Sequence, residues 1–363
     1  MWTGDQQATW SHAPWQMREM MGRYADVVPV GVDFQPQAHK ALKGLHARWY
    51  DGHLVSTWHD SRLTDELARR QIEKAAIAAK CDAVFQIQDL AVVSTPFFSY
   101  QDMSFDALLH LHQTSGTPMY RGRPDTAIAR RQERQRDYYE KATGVLTMSH
   151  WLARSLVELS GLPKEKVHVV HPGSTAMVSD VRDIPVREAP RTRLLFIGRE
   201  FIRKGGDLVV AATKILRREY DPRIRLTVAG PTEWPLPGFV PEWVDFLGPQ
   251  SVSELTSLYD THDLFVMPSR LEAFGIVFVE AQARGLPCVA RDACAMPEIV
   301  EPGISGALVS GDDPADLAQA IADVLGDDAL YEKCHARAGD VAAHYSWDRT
   351  GREIVEAISR SLA

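Results

Sequence analysis

Two glutamates eight positions apart, Glu272 and Glu280, lie in a segment whose pattern indicates a ligand-binding site. A buried-strand pattern, LFVMPS, precedes the first, and apolar residues at helical spacing follow Gly275. This change of pattern predicts a helix that begins between the two carboxylates, with Glu280 more than one turn into it. The amides of Phe274, Gly275 and Ile276 would then lie unpaired at a helix N-terminus, which favours anionic oxygens.

These groups suit different parts of one ligand. Carboxylates accept hydrogen bonds from hydroxyls, whereas backbone amides bind phosphate oxygens. The segment is therefore typical of a site for a phosphorylated, hydroxyl-rich ligand. The alternative is a solvated loop glutamate and a helix-surface glutamate on either side of an ordinary strand–helix turn.

A pair of cations follows another apolar strand, in LLFIGREFIRKGGDLVVAA. Gly198 and Arg199 leave that strand, and Lys204 and Gly205 open the next helix. Cations at the carboxyl end of a strand suit an anionic group, although alone they would be an arginine and a lysine in a surface turn. Together with the glutamate pair, they predict a diphosphate held by Arg199 and Lys204 and covered by the amides of residues 274–276.

Composition restricts the class of protein. The chain has 363 residues, 45% hydrophobic and 24% charged, which suits two globular domains. A net charge of -8 argues against nucleic-acid binding. No stretch approaches the ~18 apolar residues of a membrane span, and the N-terminus lacks a signal-peptide pattern, so we expect a cytoplasmic protein. Cys81, Cys288, Cys294 and Cys334 show no CxxC or zinc spacing, which predicts buried free thiols.

Short apolar strands alternate with amphipathic helical segments, a pattern typical of parallel sheets covered by helices. The polar, proline-containing segment 177–193 predicts a linker. We then expect two doubly wound α/β domains, residues 1–176 and 177–345, with a cleft at the carboxyl ends of their strands. A helix over residues 346–363 would return to the first domain. The predicted strands are 27–32, 54–58, 83–87, 96–101, 144–149, 167–171, 193–198, 225–230, 244–248, 264–268 and 287–290, with helices such as 205–220 and 313–325 between them.

The N-terminus departs from this plan. A sheet of this type normally opens with a strand and a glycine-containing turn, whereas here Trp2, Thr3 and Gly4 lead directly into polar residues. We expect that the first strand is missing or shortened, which would expose a sheet edge.

The chain resembles the retaining, nucleotide-sugar-dependent glycosyltransferases of family four, the group 1 glycosyl transferases. The matching motifs are GRExxxKGG at 198–206, EAFGIVFVE at 272–280, MPEIV at 296–300 and ISGALV at 304–309, with weaker matches in TMSHW at 147–151, HPGS at 171–174 and YSWDR at 345–349. The resemblance implies the GT-B fold, in which two Rossmann-like domains face each other across a cleft. It also implies a hexosyl or glycosyl transferase that moves a sugar from a nucleoside diphosphate donor to an acceptor hydroxyl with retention.

The resemblance also assigns roles to residues. Arg199 and Lys204 would neutralise the donor diphosphate, so that neither a metal nor another cofactor is required. Glu280 would accept hydrogen bonds from the ribose hydroxyls, and Glu272 would hold a hydroxyl of the transferred sugar. The amides of residues 274–276 would lie against the sugar and phosphate.

Three segments depart from the family's pattern. Asp102 follows a strand at a place where the family often has a histidine that contacts the donor sugar. The Asp102 carboxylate would either orient a sugar or acceptor hydroxyl or cap the next helix. His110 and His112 lack a third metal ligand, so surface or cleft histidines are favoured over a metal site, and His112 stays an alternative to Asp102. Ala295 and Met296 stand where the family usually has glycines, which narrows the backbone conformations available there.

The acceptor side is less well defined. Six arginines between residues 121 and 136 favour a solvated helix face over docking of an anionic acceptor or of the inner membrane surface. Trp2, Trp10 and Trp15 would either stack on an acceptor or pack within an N-terminal segment. The expected partners are a nucleotide-sugar donor and a saccharide, lipid-linked or small-molecule acceptor. A noncatalytic nucleotide-sugar-binding protein, or a GT-B phosphorylase, hydrolase or epimerase, is the alternative.

Overall fold

The computed structural model describes residues 13–50, 53–58, 61–115, 125–174 and 184–363. The chain forms two compact units, Met1–Pro172 with Trp347–Ala363, and Gly173–Ser346. The predictions for the N-terminal strand, for Trp2 and Trp10, for the arginines at 121 and 123 and for a boundary after residue 176 fall outside the described residues.

The first unit is an α/β structure around a four-stranded parallel sheet. Its elements are α1 (Ala13–Met21), α2 (Pro36–Leu45), β1 (Ala47–Tyr50), β2 (His53–Ser56), α3 (Arg62–Ala79), β3 (Val84–Ile87), β4 (Phe97–Gln101), α4 (Phe105–Ser115), α5 (Asp125–Lys141), β5 (Gly144–Thr147), α6 (His150–Glu158), a 3₁₀ turn (Lys164–Lys166) and β6 (Val167–Val169). The strand order is β3–β4–β5–β6, and β4 and β5 are buried at every position. Buried parallel strands of this kind require cover on both faces of the sheet.

One strand prediction for this unit is wrong, and a second is right about the strand but not about its sheet. Residues 27–32 form no strand, because Pro29 has no amide hydrogen to give to a ladder and its neighbours Val28 and Val30 are exposed. The segment predicted at 54–58 is β2, which pairs antiparallel with β1 in a separate hairpin. An alternating pattern predicts a strand but does not say which partner it has.

The C-terminal helix, Trp347–Leu362, belongs to the first unit and packs against α1. A Cβ atom at Gly351 would lie 2.7 Å from the Met20 backbone, so glycine allows the two helices to approach closely. Asp348 accepts hydrogen bonds from Arg23 at 2.9 Å and Tyr24 at 2.8 Å. The buried face recurs every three or four residues, at Trp347, Thr350, Gly351, Ile354 and Ala357.

The second unit contains a six-stranded parallel sheet. Its elements are β7 (Arg193–Ile197), α7 (Gly206–Glu219), β8 (Arg225–Ala229), β9 (Val244–Gly248), α8 (Val252–Thr261), β10 (Leu264–Met267), α9 (Ile276–Gln282), β11 (Cys288–Arg291), α10 (Met296–Ile299), β12 (Gly306–Val309), α11 (Pro314–Gly326) and α12 (Asp328–His344). The strand order is β12–β11–β10–β7–β8–β9. The predicted strands agree within one residue at each end, whereas β12 was not predicted as a strand.

The central strands of this sheet are β10 and β7, which pair through Leu264 with Leu194 and Phe265 with Leu195. Parallel strands end at the same edge of a sheet, so the loops that follow β7 and β10 meet there. As predicted, α9 begins at Ile276, between the two glutamates.

Two further predictions concern membranes and thiols. Within the residues that the structure describes, no helix is both long and apolar enough to cross a membrane. All four cysteines are free thiols; three are buried, as predicted, and Cys81 is half-buried.

Candidate active site

Two loops of the second unit lie side by side at the carboxyl edge of its sheet: residues 198–205 after β7 and residues 268–275 after β10. The Arg270 amide donates to the Arg203 carbonyl at 2.9 Å, and the Arg203 guanidinium donates to the Leu271 carbonyl. The Arg270 guanidinium also binds the Asp207 carboxylate at 2.8 and 2.9 Å. These contacts bring together GRExxxKGG and EAFGIVFVE, two motifs that lie far apart in the sequence.

Two glycines permit close backbone approaches at this edge of the sheet. Gly205 has φ +79°, and a Cβ atom there would lie 2.5 Å from the Pro268 carbonyl oxygen of the facing loop. Gly230, at the end of β8, has φ +119°, and its Cβ would lie 2.7 Å from the Gly198 carbonyl carbon. Both positions therefore require glycine, for conformation and for space.

Lys204 and Glu272 form an ion pair between the two loops, with the Lys204 ammonium donating to the Glu272 carboxylate. Their side chains are 16% and 11% exposed, so the pair is largely withdrawn from water. The structure thus brings together the cation predicted for the diphosphate and the carboxylate predicted for the sugar. The remaining exposure leaves both groups accessible to a ligand.

Arg199 has different surroundings. Its side chain is exposed, and its guanidinium makes no ion pair with any residue in the described ranges. It lines a surface cavity of about 450 Å³ together with Arg203, Pro231 and Trp234. Gly198 connects Arg199 to β7, and a Cβ atom at Gly198 would lie only 3.1 Å from the Lys204 side chain. An arginine in this position is available to an anionic ligand.

The predicted amide donors lie at the start of α9. Gly275 is the N-cap residue, with φ +98° and ψ 50°, and a Cβ there would lie 2.8 Å from the Phe278 ring. Glycine supplies no side chain to cap the helix, so the first amides of α9 lack a side-chain acceptor at the N-cap. Phe274 is buried, with its ring centroid 6.1 Å from that of Tyr345.

Glu280 is held by two hydroxyl donors. Tyr259 donates to Oε2 at 2.9 Å, and Ser174 donates to Oε1 at 3.3 Å. Burial raises the pKa of Glu280 to about 7, although both hydrogen bonds oppose that shift. At neutral pH the carboxyl group is therefore near the midpoint of its titration, and a ligand that donates hydrogen bonds would favour the charged form.

Sequence reasoning did not identify Tyr259 and Ser174 as partners of Glu280. Ser174 belongs to the HPGS segment, whose sequence alone indicates no role for the serine. Tyr259 lies on α8 at a position whose sequence pattern predicts a core residue, and its side chain is fully buried. A buried tyrosine hydroxyl needs a hydrogen-bond partner, and this requirement was the available signal.

The segment CAMPEIV differs from the prediction in detail. The left-handed backbone conformation lies at Cys294, with φ +53°, whereas Ala295 has φ -85° and ψ -6°. The cysteine therefore adopts the conformation that favours glycine. Its thiol is buried beside the Glu272 backbone, and burial raises the pKa of that thiol.

Asp102, His110 and His112 belong to the first unit. Asp102 follows β4 and accepts a hydrogen bond from Gln88 at 2.8 Å. Asp102 is not the cap of α4, because the Ser104 hydroxyl accepts from the backbone amide of Ala107 at 3.1 Å. The two histidines are exposed on α4.

The described arginines of α5 are more constrained than a solvated face. Arg131 pairs with Asp89 at 2.5 Å, and Arg134 pairs with Asp65. Arg136 pairs with Asp106 at 2.6 Å, and that carboxylate also accepts from Ser160. These ion pairs tie α5 to neighbouring segments. The prediction of a solvated face is wrong for Arg131 and Arg134, which are half-buried, whereas Arg136 is exposed as predicted.

Comparison with known proteins finds a family match in the second unit. Residues 180–340 match the family Glycosyl transferases group 1. The D-inositol 3-phosphate glycosyltransferase of Nocardia farcinica is 34% identical over 232 residues, which cover 58% of this chain and 51% of that protein. The chain thus spans about half the length of the relatives it matches.

Solved structures identify the fold. Sucrose-phosphate synthase from Thermosynechococcus elongatus superposes with a TM-score of 0.64 at 18% identity, over 95% of this chain and 91% of the other. HepE from Anabaena, solved with UDP and glucose, superposes with a TM-score of 0.56 at 19% identity, over 80% of this chain and 81% of the other. The predicted α/β class and GT-B fold are confirmed.

Proposed function

We propose that this chain, whose residues 180–340 match the family Glycosyl transferases group 1, transfers a sugar from a nucleoside diphosphate sugar to an acceptor hydroxyl. One observation carries the proposal. Two adjoining loops at one edge of one sheet carry the groups that such a donor needs. These groups are two cations, a carboxylate and the start of a helix. Lys204 and Glu272 are in direct contact there.

Each group has a part of the donor that it suits. Arg199 and Lys204 bind the diphosphate, and the amides at the start of α9 bind its oxygens. Glu272 accepts a hydrogen bond from a hydroxyl of the transferred sugar. Glu280 accepts hydrogen bonds from the ribose hydroxyls, which favour its charged form.

The cations also serve the chemical step. When the anomeric bond breaks, negative charge grows on the departing diphosphate, and Arg199 and Lys204 stabilise it without a divalent metal. The acceptor hydroxyl attacks from the face that the diphosphate leaves, and the leaving phosphate takes its proton. The configuration at the anomeric carbon is then retained.

Similar proteins direct the choice of substrates. A relative is named for D-inositol 3-phosphate, and a solved neighbour holds UDP with glucose. We therefore place UDP-sugars first among the donors and a phosphorylated cyclitol first among the acceptors, ahead of saccharides and lipid-linked alcohols. Asp102, at a strand end of the first unit, is the proposed residue for orienting a sugar or acceptor hydroxyl.

The test is a donor panel. The protein is incubated with UDP-, GDP-, ADP- and dTDP-sugars and D-inositol 3-phosphate, with and without EDTA, and release of nucleoside diphosphate is measured. We expect acceptor-dependent release that EDTA does not reduce, and NMR of the product should show the donor's anomeric configuration. Nucleotide binding without turnover of any donor would identify a noncatalytic binding protein, and phosphate-dependent release of sugar 1-phosphate would identify a phosphorylase.

A further inference from the structure

The hairpin of β1 and β2 carries an exposed apolar pair. Trp49 and Leu54 are directly opposite each other in the register, so their side chains lie on the same face. They are 76% and 62% exposed, and Leu45, at the end of α2, is 60% exposed. We call Leu45, Trp49 and Leu54 the hairpin patch. Isolated exposed apolar residues are ordinary, whereas a cluster with a large aromatic residue indicates a contact surface.

Hydrogen bonds tie the hairpin to the end of α2. The Ser56 hydroxyl donates to the Lys43 carbonyl at 2.8 Å, and the Thr57 amide donates to the His46 carbonyl at 3.2 Å. The Arg48 guanidinium donates to the Leu45 carbonyl at 3.1 Å. The patch is therefore presented by a helix end and a hairpin that are bonded together.

The charges around the patch have one dominant sign. Lys40 and Lys43 are exposed on α2, and Arg48 lies on β1. Residues 34–50 contain no aspartate or glutamate, and Asp51 is the only acidic residue in 34–59. This basic segment belongs to a chain whose net charge is -8. Its charge complements an anionic surface, whereas two copies of this basic segment that faced each other in a symmetric contact would repel.

We propose that the hairpin patch docks on an anionic phospholipid bilayer. Tryptophan and leucine side chains enter the boundary between headgroups and acyl chains, where an indole ring is favoured. Lys40 and Lys43 lie beside the lipid phosphates, whose attraction adds to that of the apolar side chains, whereas Arg48 lies on the opposite face of β1 from Trp49. Three apolar side chains are too few for a stable protein interface, which buries roughly 800 Å² on each partner.

Phe239 provides a matched control from the second unit. It is 99% exposed, so it is even more accessible than Trp49. However, residues 226–269 around it contain six acidic residues and no lysine or arginine, and an anionic bilayer repels such a segment. Exposure alone would give both sites the same affinity for vesicles, whereas the combination of apolar and basic groups selects the hairpin patch.

The test is co-sedimentation with vesicles in the absence of donor and acceptor. Wild-type protein should bind phosphatidylcholine vesicles that contain phosphatidylglycerol, bind pure phosphatidylcholine weakly, and lose affinity as salt is added. The double variant Trp49→Ser/Leu54→Ser should lower the partition coefficient about tenfold. Lys40→Gln/Lys43→Gln should lower it about twenty-five-fold at low salt, since each of the two charges contributes about fivefold. Phe239→Ser should bind as the wild type does.

Circular dichroism and thermal unfolding establish that each variant is folded. The proposal is overturned if wild-type protein does not bind the anionic vesicles, or if Trp49→Ser/Leu54→Ser binds them as well as wild type. It is also overturned if that variant abolishes a concentration-dependent self-association and leaves vesicle binding unchanged. Because no sugar transfer is measured, these outcomes do not depend on the proposed enzymatic function.

Discussion

Lys204 and Glu272 are bonded to each other, although the proposed donor needs the ammonium for its diphosphate and the carboxylate for its sugar. Each of these largely buried charges neutralises the other, and removal of one partner leaves the other uncompensated. A bound diphosphate therefore competes with Glu272 for the Lys204 ammonium. A sugar hydroxyl that donates to Glu272 makes this exchange less costly, because the carboxylate keeps a hydrogen-bond donor.

Glu272→Gln should separate nucleotide binding from sugar transfer. The neutral amide holds Lys204 less strongly, so the affinity for a nucleoside diphosphate should rise about threefold to tenfold, while turnover of the sugar donor falls at least about tenfold. Calorimetry measures the first quantity and steady-state kinetics the second. Glu219→Gln, on the exposed face of α7, is the control and should change neither. Weaker binding of the diphosphate to Glu272→Gln would contradict this account of the ion pair.

Lys204→Ala should lower turnover by about 10² to 10³, by analogy with the removal of one preorganised donor to a developing anion. Lys214→Ala is the matched control, because Lys214 is exposed on α7. Turnover is measured at saturating donor, and thermal unfolding checks that both variants are folded. Near-normal turnover in Lys204→Ala would remove the lysine from its assigned role.

Glu280→Gln should alter the pH dependence of stability. The pKa of this carboxyl rises from 4.5 to about 7 on folding, so the unfolded chain binds fewer protons between these values. The free energy of unfolding of the wild type should therefore fall between pH 4.5 and 7, by at most about 3 kcal/mol from this group. Glutamine does not ionise. The free energy of unfolding of the variant minus that of the wild type should therefore be larger at pH 8 than at pH 5. Urea unfolding that gives the same difference at both pH values would show that the pKa is not raised.

Gly205→Ala should lower the free energy of unfolding by at least about 2 kcal/mol. The left-handed conformation penalises alanine, and the new Cβ would meet the Pro268 carbonyl oxygen at 2.5 Å. Gly326→Ala is the control, because a Cβ at Gly326 meets nothing within 4 Å. Equal stability of the two variants in chemical denaturation would mean that the loops after β7 and β10 do not approach as described.

The second unit could be predicted from sequence more completely than the first. Most of its strands are mainly apolar and adjoin a glycine or proline, and such segments locate buried parallel strands well. In the first unit, the apolar residues of 27–32 gave the same signal, yet Pro29 prevents pairing. The hairpin of β1 and β2 shows a related difficulty. Periodicity predicts that β2 is a strand, but it does not encode that β2 pairs with β1 rather than with the parallel sheet.

The candidate site shows a similar division. Residue types and their positions at strand and helix ends indicated an anion site. The residues concerned are Arg199, Lys204, Glu272 and Glu280. The contact between Lys204 and Glu272 was not predicted, because it depends on the pairing of β7 with β10 across 68 residues of sequence. The raised pKa of Glu280 was also beyond reach, since it results from burial rather than from neighbouring residue types.

The central claim is that the second unit binds a nucleoside diphosphate through Arg199 and Lys204. The most direct measurement compares wild type with Arg199→Ala/Lys204→Ala in thermal unfolding with UDP, GDP, ADP and dTDP. We predict that one diphosphate, at 100 times its dissociation constant, stabilises wild type by roughly 2.7 kcal/mol, and that the double variant shows no stabilisation at the same concentration. Absence of stabilisation of wild type by every diphosphate, or equal stabilisation of the double variant, would contradict the claim.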